Sequence, residues 1–222
     1  MKQIFDSLKK QSPSRIIALG FSAVILVGAV LLMMPFSLKK GVHLSFLNAL
    51  FTSTSAVCVT GLVVVDTADS FTAIGQAIVA ALIQIGGLGI ASVGVGLIIA
   101  AGKRVSIKSR LMVKEALNVD TYHGMVRLVR IVLAITLGFE AAGAIISFFV
   151  FRKDYSPLHA VGISIFHSIA AFNNAGFDNL GGMHNLIPYK DNILLNITTD
   201  VLVIVGGIGF LVLVDIVKQK SF

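Results

Sequence analysis

Two stretches decide the fold of this chain, Thr54-Ser-Ala-Val-Cys-Val-Thr-Gly61-Leu62 and Ala171-Phe-Asn-Asn-Ala-Gly176-Phe177. Each lies at the end of an uncharged segment that is rich in small polar side chains, at residues 44–65 and 158–177. The Ala, the Gly and the apolar residue after the Gly coincide when the two stretches are aligned 115 positions apart. The match indicates an internal repeat.

The composition is that of a membrane protein. The chain is 56% hydrophobic and only 13% charged, with a mean hydropathy of +0.92. A transmembrane helix needs about 20 apolar residues. Four stretches are long enough to cross a bilayer: Ile16–Met34, Phe71–Gly102, Ile131–Phe151 and Asn192–Val214. The net charge of +7 resides between these stretches, so it indicates topology and no nucleic-acid partner.

The distribution of basic residues predicts that the segments at 44–65 and 158–177 enter the membrane and turn back. With a cytoplasmic N-terminus, this arrangement places 13 of the 18 Lys and Arg residues inside. If both segments crossed as ordinary helices, the basic residues would divide almost evenly between the two sides, and the asymmetry would be lost. We therefore expect both termini in the cytoplasm of a multi-pass protein. The predicted parts are a cytoplasmic segment 1–15, a first helix–pore loop–helix repeat 16–102, a basic cytoplasmic linker 103–130, a second such repeat 131–217 and a cytoplasmic C-terminus 218–222.

A second pair of matching motifs supports the repeat. Ile85-Gly-Gly-Leu-Gly89-Ile90 and Val205-Gly-Gly-Ile-Gly209-Phe210 lie 120 positions apart, so the second copy has five extra residues after its loop. These glycines mark either close helix packing, which we favour, or gating breaks. The predicted fold is an all-α integral membrane protein with two repeats of transmembrane helix, re-entrant pore helix with filter loop, and transmembrane helix.

The loops suit the coordination of a monovalent cation. A pore helix over about His43 to Ala56 would direct its negative C-terminal end towards the membrane centre. Backbone carbonyls beyond it can replace the hydration shell of a potassium ion, or of a sodium ion. Gly61 and Gly176 suit a filter that needs positive φ, although each could instead cap a helix. The predicted filter residues are Cys58, Val59, Thr60, Gly61, Leu62, Asn173, Asn174, Ala175, Gly176 and Phe177.

Four acidic residues lie in or near the membrane. Glu140 and Asp200 fall inside apolar spans, where a carboxyl either pairs with a coupling ion or forms structural hydrogen bonds, with Asn196 and Thr199 as neighbours of Asp200. Asp66 and Asp69 follow the first loop and either concentrate cations or merely solvate a loop. The sequence shows no catalytic motif and no ligand spacing for a bound metal, and the single Cys58 excludes an internal disulfide.

At these loops and at both Gly-Gly-x-Gly motifs, the sequence resembles the Trk/Ktr/HKT superfamily of potassium transporters, most of all the bacterial Ktr membrane subunit. The resemblance implies four repeats around one ion path, with one filter glycine per repeat, here Gly61 and Gly176. It also implies potassium preference for Gly61, since Ser at that position accompanies sodium selectivity in plant members. Bacterial members form homodimers on a cytosolic ring of nucleotide-binding regulatory subunits.

This chain carries two repeats where the family has four. We expect it to be the N-terminal half of a longer protein, and the alternative is that two copies assemble to complete a pore. The predicted function is potassium uptake across the plasma membrane through a carbonyl-lined filter. The rivals are a sodium-conducting member of the same fold and a non-conducting membrane scaffold.

Overall fold

The fold is built from α-helices. The computed structural model describes residues 12–118 and 124–218, with side chains to residue 216, so the predicted termini 1–15 and 218–222 lie largely outside the described residues. The α-helices are α1 (Pro13–Met33), α2 (Phe46–Val57), α3 (Thr67–Ser70), α4 (Ala73–Leu88), α5 (Ile90–Ala100), α6 (Ile107–Ala116), α7 (Met125–Phe151), α8 (Pro157–Phe172), α9 (Ile193–Gly207) and α10 (Phe210–Lys218). A short 3-10 helix covers Ile187–Tyr189, and no strand is formed within the described ranges beyond an isolated bridge between Leu38 and Phe71.

Helix lengths confirm the predicted membrane fold class. α1 and α7, with 21 and 27 residues, are long and apolar enough to cross a membrane. The pairs α4–α5 and α9–α10 qualify as spans only if each bent pair counts as one. α2 and α8 are apolar but have only 12 and 16 residues, fewer than the roughly 20 that a crossing requires. Each repeat is thus an outer helix, a short re-entrant pore helix and a broken inner helix.

The inner helices differ from the continuous spans expected at Phe71–Gly102 and Asn192–Val214. α4 and α5 meet at 106°, and α9 and α10 meet at 99°. The break falls at Gly89, with φ of 77°, and at Gly209, with φ of 97°. A residue with a side chain rarely adopts such angles, so glycine is what allows the helix to turn here.

Outer and pore helices are joined by an equivalent hydrogen bond in the two repeats. The Ser53 hydroxyl donates a 2.7 Å hydrogen bond to the carbonyl of Ile25, and the Ser168 hydroxyl donates a 2.7 Å bond to the carbonyl of Glu140. The two donors lie 115 positions apart, as do the two acceptors. The repeat inferred from two short motifs therefore extends to the contacts between helices.

The repeats share one hydrophobic core. Ala29, Leu32, Val57 and Ile83 of the first repeat are buried in a cluster that also contains residues of the second repeat. The contributions of the second repeat to this cluster are Phe166, Ala170, Ala175 and Phe177. The pore helix and the loop of the second repeat are consequently packed against the first repeat.

Candidate ion-conducting site

The two predicted filter loops have the same backbone conformation. Val59 and Asn174, which follow the ends of α2 and α8, have φ of 55° and 57°. Two residues later, Gly61 and Gly176 have φ of 72° and 69°. A β-branched residue such as Val is an outlier at positive φ, because its side chain crowds the backbone there. Two loops of different sequence thus adopt one specific and partly strained path.

Hydrogen bonds at the helix ends explain how these loops begin. In the first repeat, the amide of Thr60 donates to the carbonyl of Ser55 at 3.0 Å, and that of Val59 donates to Ala56 at 3.3 Å. This pair of bonds is the Schellman arrangement, in which the residue just past the helix is left-handed. The second repeat repeats it with Ala175 to Ala170 at 2.8 Å and Asn174 to Ala171 at 3.0 Å.

The alternative that Gly61 and Gly176, the two predicted filter glycines, cap their helices is therefore wrong. The left-handed capping positions are held by Val59 and Asn174, and the glycines come two residues later. Gly61 and Gly176 need another reason for their conformation.

The two loops meet at these glycines. A Cβ atom on Gly61 would lie 2.9 Å from the carbonyl oxygen of Ala175 and 3.1 Å from the Cα atom of Gly176. A Cβ atom on Gly176 would lie 3.0 Å from the Cα atom of Gly61. Such approaches are too close for any side chain without movement of a backbone. Glycine is thus required twice at this point, for the positive φ and for the contact between loops.

A second pair of glycines lies behind the pore helices. A Cβ atom on Gly86 would overlap the carbonyl oxygen of Val57, and one on Gly206 would overlap the carbonyl oxygen of Phe172. By contrast, a Cβ atom on Gly89 or Gly209 would meet no described atom within 4 Å. The Gly-Gly-x-Gly motif therefore combines close packing at its first glycine with a helix break at its last.

The loops differ in their surroundings. Leu62 is 59% exposed, whereas Phe177, at the equivalent position of the second loop, is 5% exposed. Thr60 is likewise exposed while its equivalent Ala175 is fully buried. The second loop lies against the first repeat, and in the described part of the chain no preceding repeat covers the first loop in the same way.

Glu140 is held by two amide side chains. It is buried, and its carboxyl accepts a 3.3 Å hydrogen bond from Nε2 of Gln84 and a 3.2 Å bond from Nδ2 of Asn173. Asn173 also donates to Oε1 of Gln84 at 3.0 Å. Of the two readings of Glu140, the structural hydrogen-bonding one matches these contacts. Gln84 is not among the predicted site residues, although a polar amide inside an apolar span is a signal that the sequence contains.

Asp200 differs from expectation. It is exposed, and neither of its predicted neighbours binds it. The Asn196 side chain donates to the carbonyl of Lys190 at 2.8 Å, and the Thr199 hydroxyl lies 3.0 Å from Nε2 of His167. At the equivalent position of the first repeat, Ala80 is buried in the shared core.

Asp66 and Asp69 bind a loop of the other repeat. The amide of Met183 donates to Asp66 at 2.8 Å, and that of Gly182 donates to Asp69 at 3.0 Å. The loop explanation for these two carboxylates thus agrees with the structure. Near them, burial raises the pKa of Asp178, and the negative charge of Asp66 adds to the rise.

Cys58 and the second-loop amide Asn174 complete the predicted site. Cys58 is a free, exposed thiol at the end of α2. Asn174 donates from Nδ2 to the carbonyl of Val203 at 3.2 Å, which ties the second loop to its own inner helix. Among the described residues, no group of three or more His, Cys, Asp or Glu side chains is placed to hold a metal ion.

Comparison with known proteins identifies relatives over nearly the whole chain. Residues 7–222 match the family model described as "TrkH: Cation transport protein". The chain is 41% identical over 211 residues to Ktr system potassium uptake protein B of Bacillus subtilis, covering 95% of this chain and 46% of the relative. It is 38% identical over 210 residues to potassium/sodium uptake protein NtpJ of Enterococcus hirae, with the same coverage of 95% and 46%. The chain thus spans about half the length of the curated relatives it matches.

Proposed function

Because this chain belongs to the TrkH family of cation transport proteins, we propose that it carries potassium ions across the plasma membrane as part of a Ktr-type uptake system. The ion path is a narrow filter lined by backbone carbonyls of residues 58–62 and 173–177. The protein supplies oxygen ligands in place of water, and the ion moves down its electrochemical gradient.

The observation that carries this proposal is the meeting of two equivalent loops at Gly61 and Gly176. Irregular backbone at membrane depth is tolerated only where protein or a water-filled cavity surrounds it. Two such segments with matching φ angles, in backbone contact, favour a common function near one axis. The C-terminal ends of α2 and α8 lead into both loops and add partial negative charge that favours a cation.

Two more loops of the same kind would complete the filter. Leu62 and Asp200 are exposed, whereas their equivalents in the other repeat, Phe177 and Ala80, are buried. This difference supports the arrangement, because a neighbouring repeat on each side would cover Leu62 and Asp200. Two further repeats, or a second copy of this chain, would supply the missing loops. The name of the Bacillus subtilis relative supports assembly with other subunits of a Ktr system. We further propose a homodimer on a cytosolic ring of nucleotide-binding subunits, with both termini of this chain in the cytoplasm.

Sodium is the second candidate ion. The Enterococcus hirae relative, at 38% identity, is named for both potassium and sodium uptake. A backbone filter distinguishes the two ions through the spacing and field strength of its oxygens. Substitution of Gly61 tests which of the two ions the filter prefers.

A complementation assay tests the proposal. A potassium-uptake-deficient cell would express this chain together with the second half of the Bacillus subtilis relative, and growth on low potassium would be measured. We expect rescue, and we expect Gly61→Ser to raise the ratio of sodium to potassium uptake, because a side chain there displaces the carbonyl of Ala175.

The matched control is Gly138→Ser on α7, where a Cβ atom meets no described atom within 4 Å. That variant should rescue as the parent does. Absence of rescue by the parent chain in a membrane-inserted form, or unchanged selectivity in Gly61→Ser, would count against the filter.

A further inference from the structure

A buried polar cluster connects the two repeats directly behind the second filter loop. It consists of Gln84 on α4, Glu140 on α7 and Asn173 at the end of α8. Glu140 and Asn173 are 7% and 9% exposed. The three side chains form a closed triangle of hydrogen bonds of 3.0 to 3.3 Å. Each member comes from a different helix, so the cluster fixes those helices relative to one another.

Asn173 is restrained on every side. Its Nδ2 atom also lies 2.9 Å from the carbonyl of Ile169, so two N–H groups serve three acceptors and one hydrogen is shared. Its side-chain oxygen fills the space beside Gly87, where any Cβ atom would overlap it. Asn173 is followed directly by the left-handed Asn174 of the second loop. A shift of the Asn173 side chain is therefore transmitted to the start of the filter segment.

The first repeat has no such cluster. Ile25 stands where the second repeat has Glu140, and Cys58 stands where it has Asn173. An aliphatic side chain and a thiol cannot take the place of the carboxyl and the amide in this triangle. The pore architecture itself does not require the cluster, since the first loop adopts the same φ angles without it.

The cluster is also costly to build. Removing a carboxyl from water is unfavourable unless its oxygens are hydrogen-bonded. Both carboxyl oxygens of Glu140 are bonded to amides, and no ion pair to Glu140 is formed within the described residues. The two hydrogen bonds that Glu140 accepts fix the side chains of Gln84 and Asn173 in position.

Resting on the proposed transport function, we propose that Glu140 and Gln84 are positioning residues that hold Asn173, and through it the second filter loop, in the conformation that distinguishes potassium from sodium. The cluster holds only the second of the two loops, so the two loops contribute unequally to ion selection.

Three variants on α7 test the role of Glu140 in the transport-competent assembly used above. Glu140→Ile places the residue of the first repeat at this position and removes both hydrogen bonds. Glu140→Gln retains a similar shape and hydrogen-bonding groups without a carboxyl. Thr136→Val is the matched control, because Thr136 is buried one turn away and its hydroxyl has no hydrogen-bond partner among the described residues.

The measurement is the ratio of sodium to potassium uptake, together with the apparent KM for potassium and the maximal rate. Leaving a buried donor unpaired costs enough to change an equilibrium about tenfold. We expect Glu140→Ile to raise the sodium-to-potassium ratio by about that factor. Glu140→Gln should restore the ratio to within about twofold of the parent, and Thr136→Val should leave it unchanged.

Gln84→Met provides a second, independent approach to the same triangle. It removes the other partner of Asn173 from a different helix, so it tests the inference even if Glu140→Ile does not fold. We expect the same direction of change in selectivity. Combining the two substitutions should add little, since groups in one network act non-additively.

The outcomes separate this inference from the function on which it rests. If the parent assembly takes up no potassium, the transport proposal fails. If the parent transports and Gln84→Met or a folded Glu140→Ile keeps the parental selectivity, the positioning role is overturned. It is also overturned if Glu140→Gln behaves as Glu140→Ile does, because the negative charge would then matter and the hydrogen bonds would not.

Discussion

Replacement of Gly86 by alanine should destabilise the protein, because the added Cβ atom has no room. A Cβ atom there would overlap the carbonyl oxygen of Val57 and would lie 2.8 Å from its carbonyl carbon and 3.1 Å from its Cα atom. All three neighbours belong to the backbone at the end of α2, so no side chain can rotate away. The pore helix itself must shift, and with it the start of the first filter loop.

The magnitude follows from two opposing effects. Overfilling a packed site costs about 1–3 kcal/mol, and rigid backbone neighbours place this case in the upper part of that range. Replacing a helical glycine by alanine returns about 0.5–1 kcal/mol. The net loss of about 2 kcal/mol corresponds to a Tm about 4–8 °C lower for a chain of this size.

Gly94→Ala is the matched control for the thermal unfolding assay. Gly94 lies inside α5, and a Cβ atom there would meet no described atom within 4 Å. This variant should therefore show only the helix gain and melt about 1–4 °C higher than the parent. The two purified variants would be compared in the same detergent. Equal or higher Tm for Gly86→Ala would refute the packing argument.

Two further predictions concern the pore helix and the outer mouth. Ser53→Ala and Ser168→Ala should each lower the free energy of unfolding by about 0.5–1.5 kcal/mol, because each removes an equivalent 2.7 Å hydrogen bond to an outer helix. Denaturant titration measures both losses. Very different losses in the two variants would contradict the equivalence of the repeats. Asp178→Asn should raise the Tm at pH 7, with the gain vanishing towards about pH 4. Burial and the Asp66 charge raise the Asp178 pKa, so the ionised carboxylate lowers the stability of the fold. This loss of stability is absent in acid and grows as the pH rises through the raised pKa. A gain in Tm that does not depend on pH would contradict this assignment.

The membrane fold class was predictable because apolar length and charge placement are local properties of a sequence. If the polar segments at 44–65 and 158–177 crossed the membrane, the basic residues would no longer be concentrated on one side. The structure has helices of only 12 and 16 residues there. The internal repeat was visible because Gly61 and Gly176 cannot be replaced without a clash, so identical spacing survived in both copies.

Other features depend on contacts between distant residues, which a single sequence does not display. The strained φ of Val59 follows from its place just after α2, where helix-end hydrogen bonds demand a left-handed residue. In the sequence, Gly89 and Gly209 do not differ from other glycines in an apolar span. Only the structure shows that the helices bend there by 106° and 99°. The pairing of Glu140 with Gln84 joins residues 56 positions apart, and neither the repeat nor the charge pattern predicts it.

The core shared by the repeats has a consequence for how the protein is made. During synthesis the first repeat leaves the ribosome before Phe166 and Phe177 exist, yet these residues fill part of its interior. Until they arrive, the first-repeat residues of this cluster lack part of their packing. Membrane insertion of the first half is therefore separate from its final packing, and that packing is completed only when the later pore helix enters beside it.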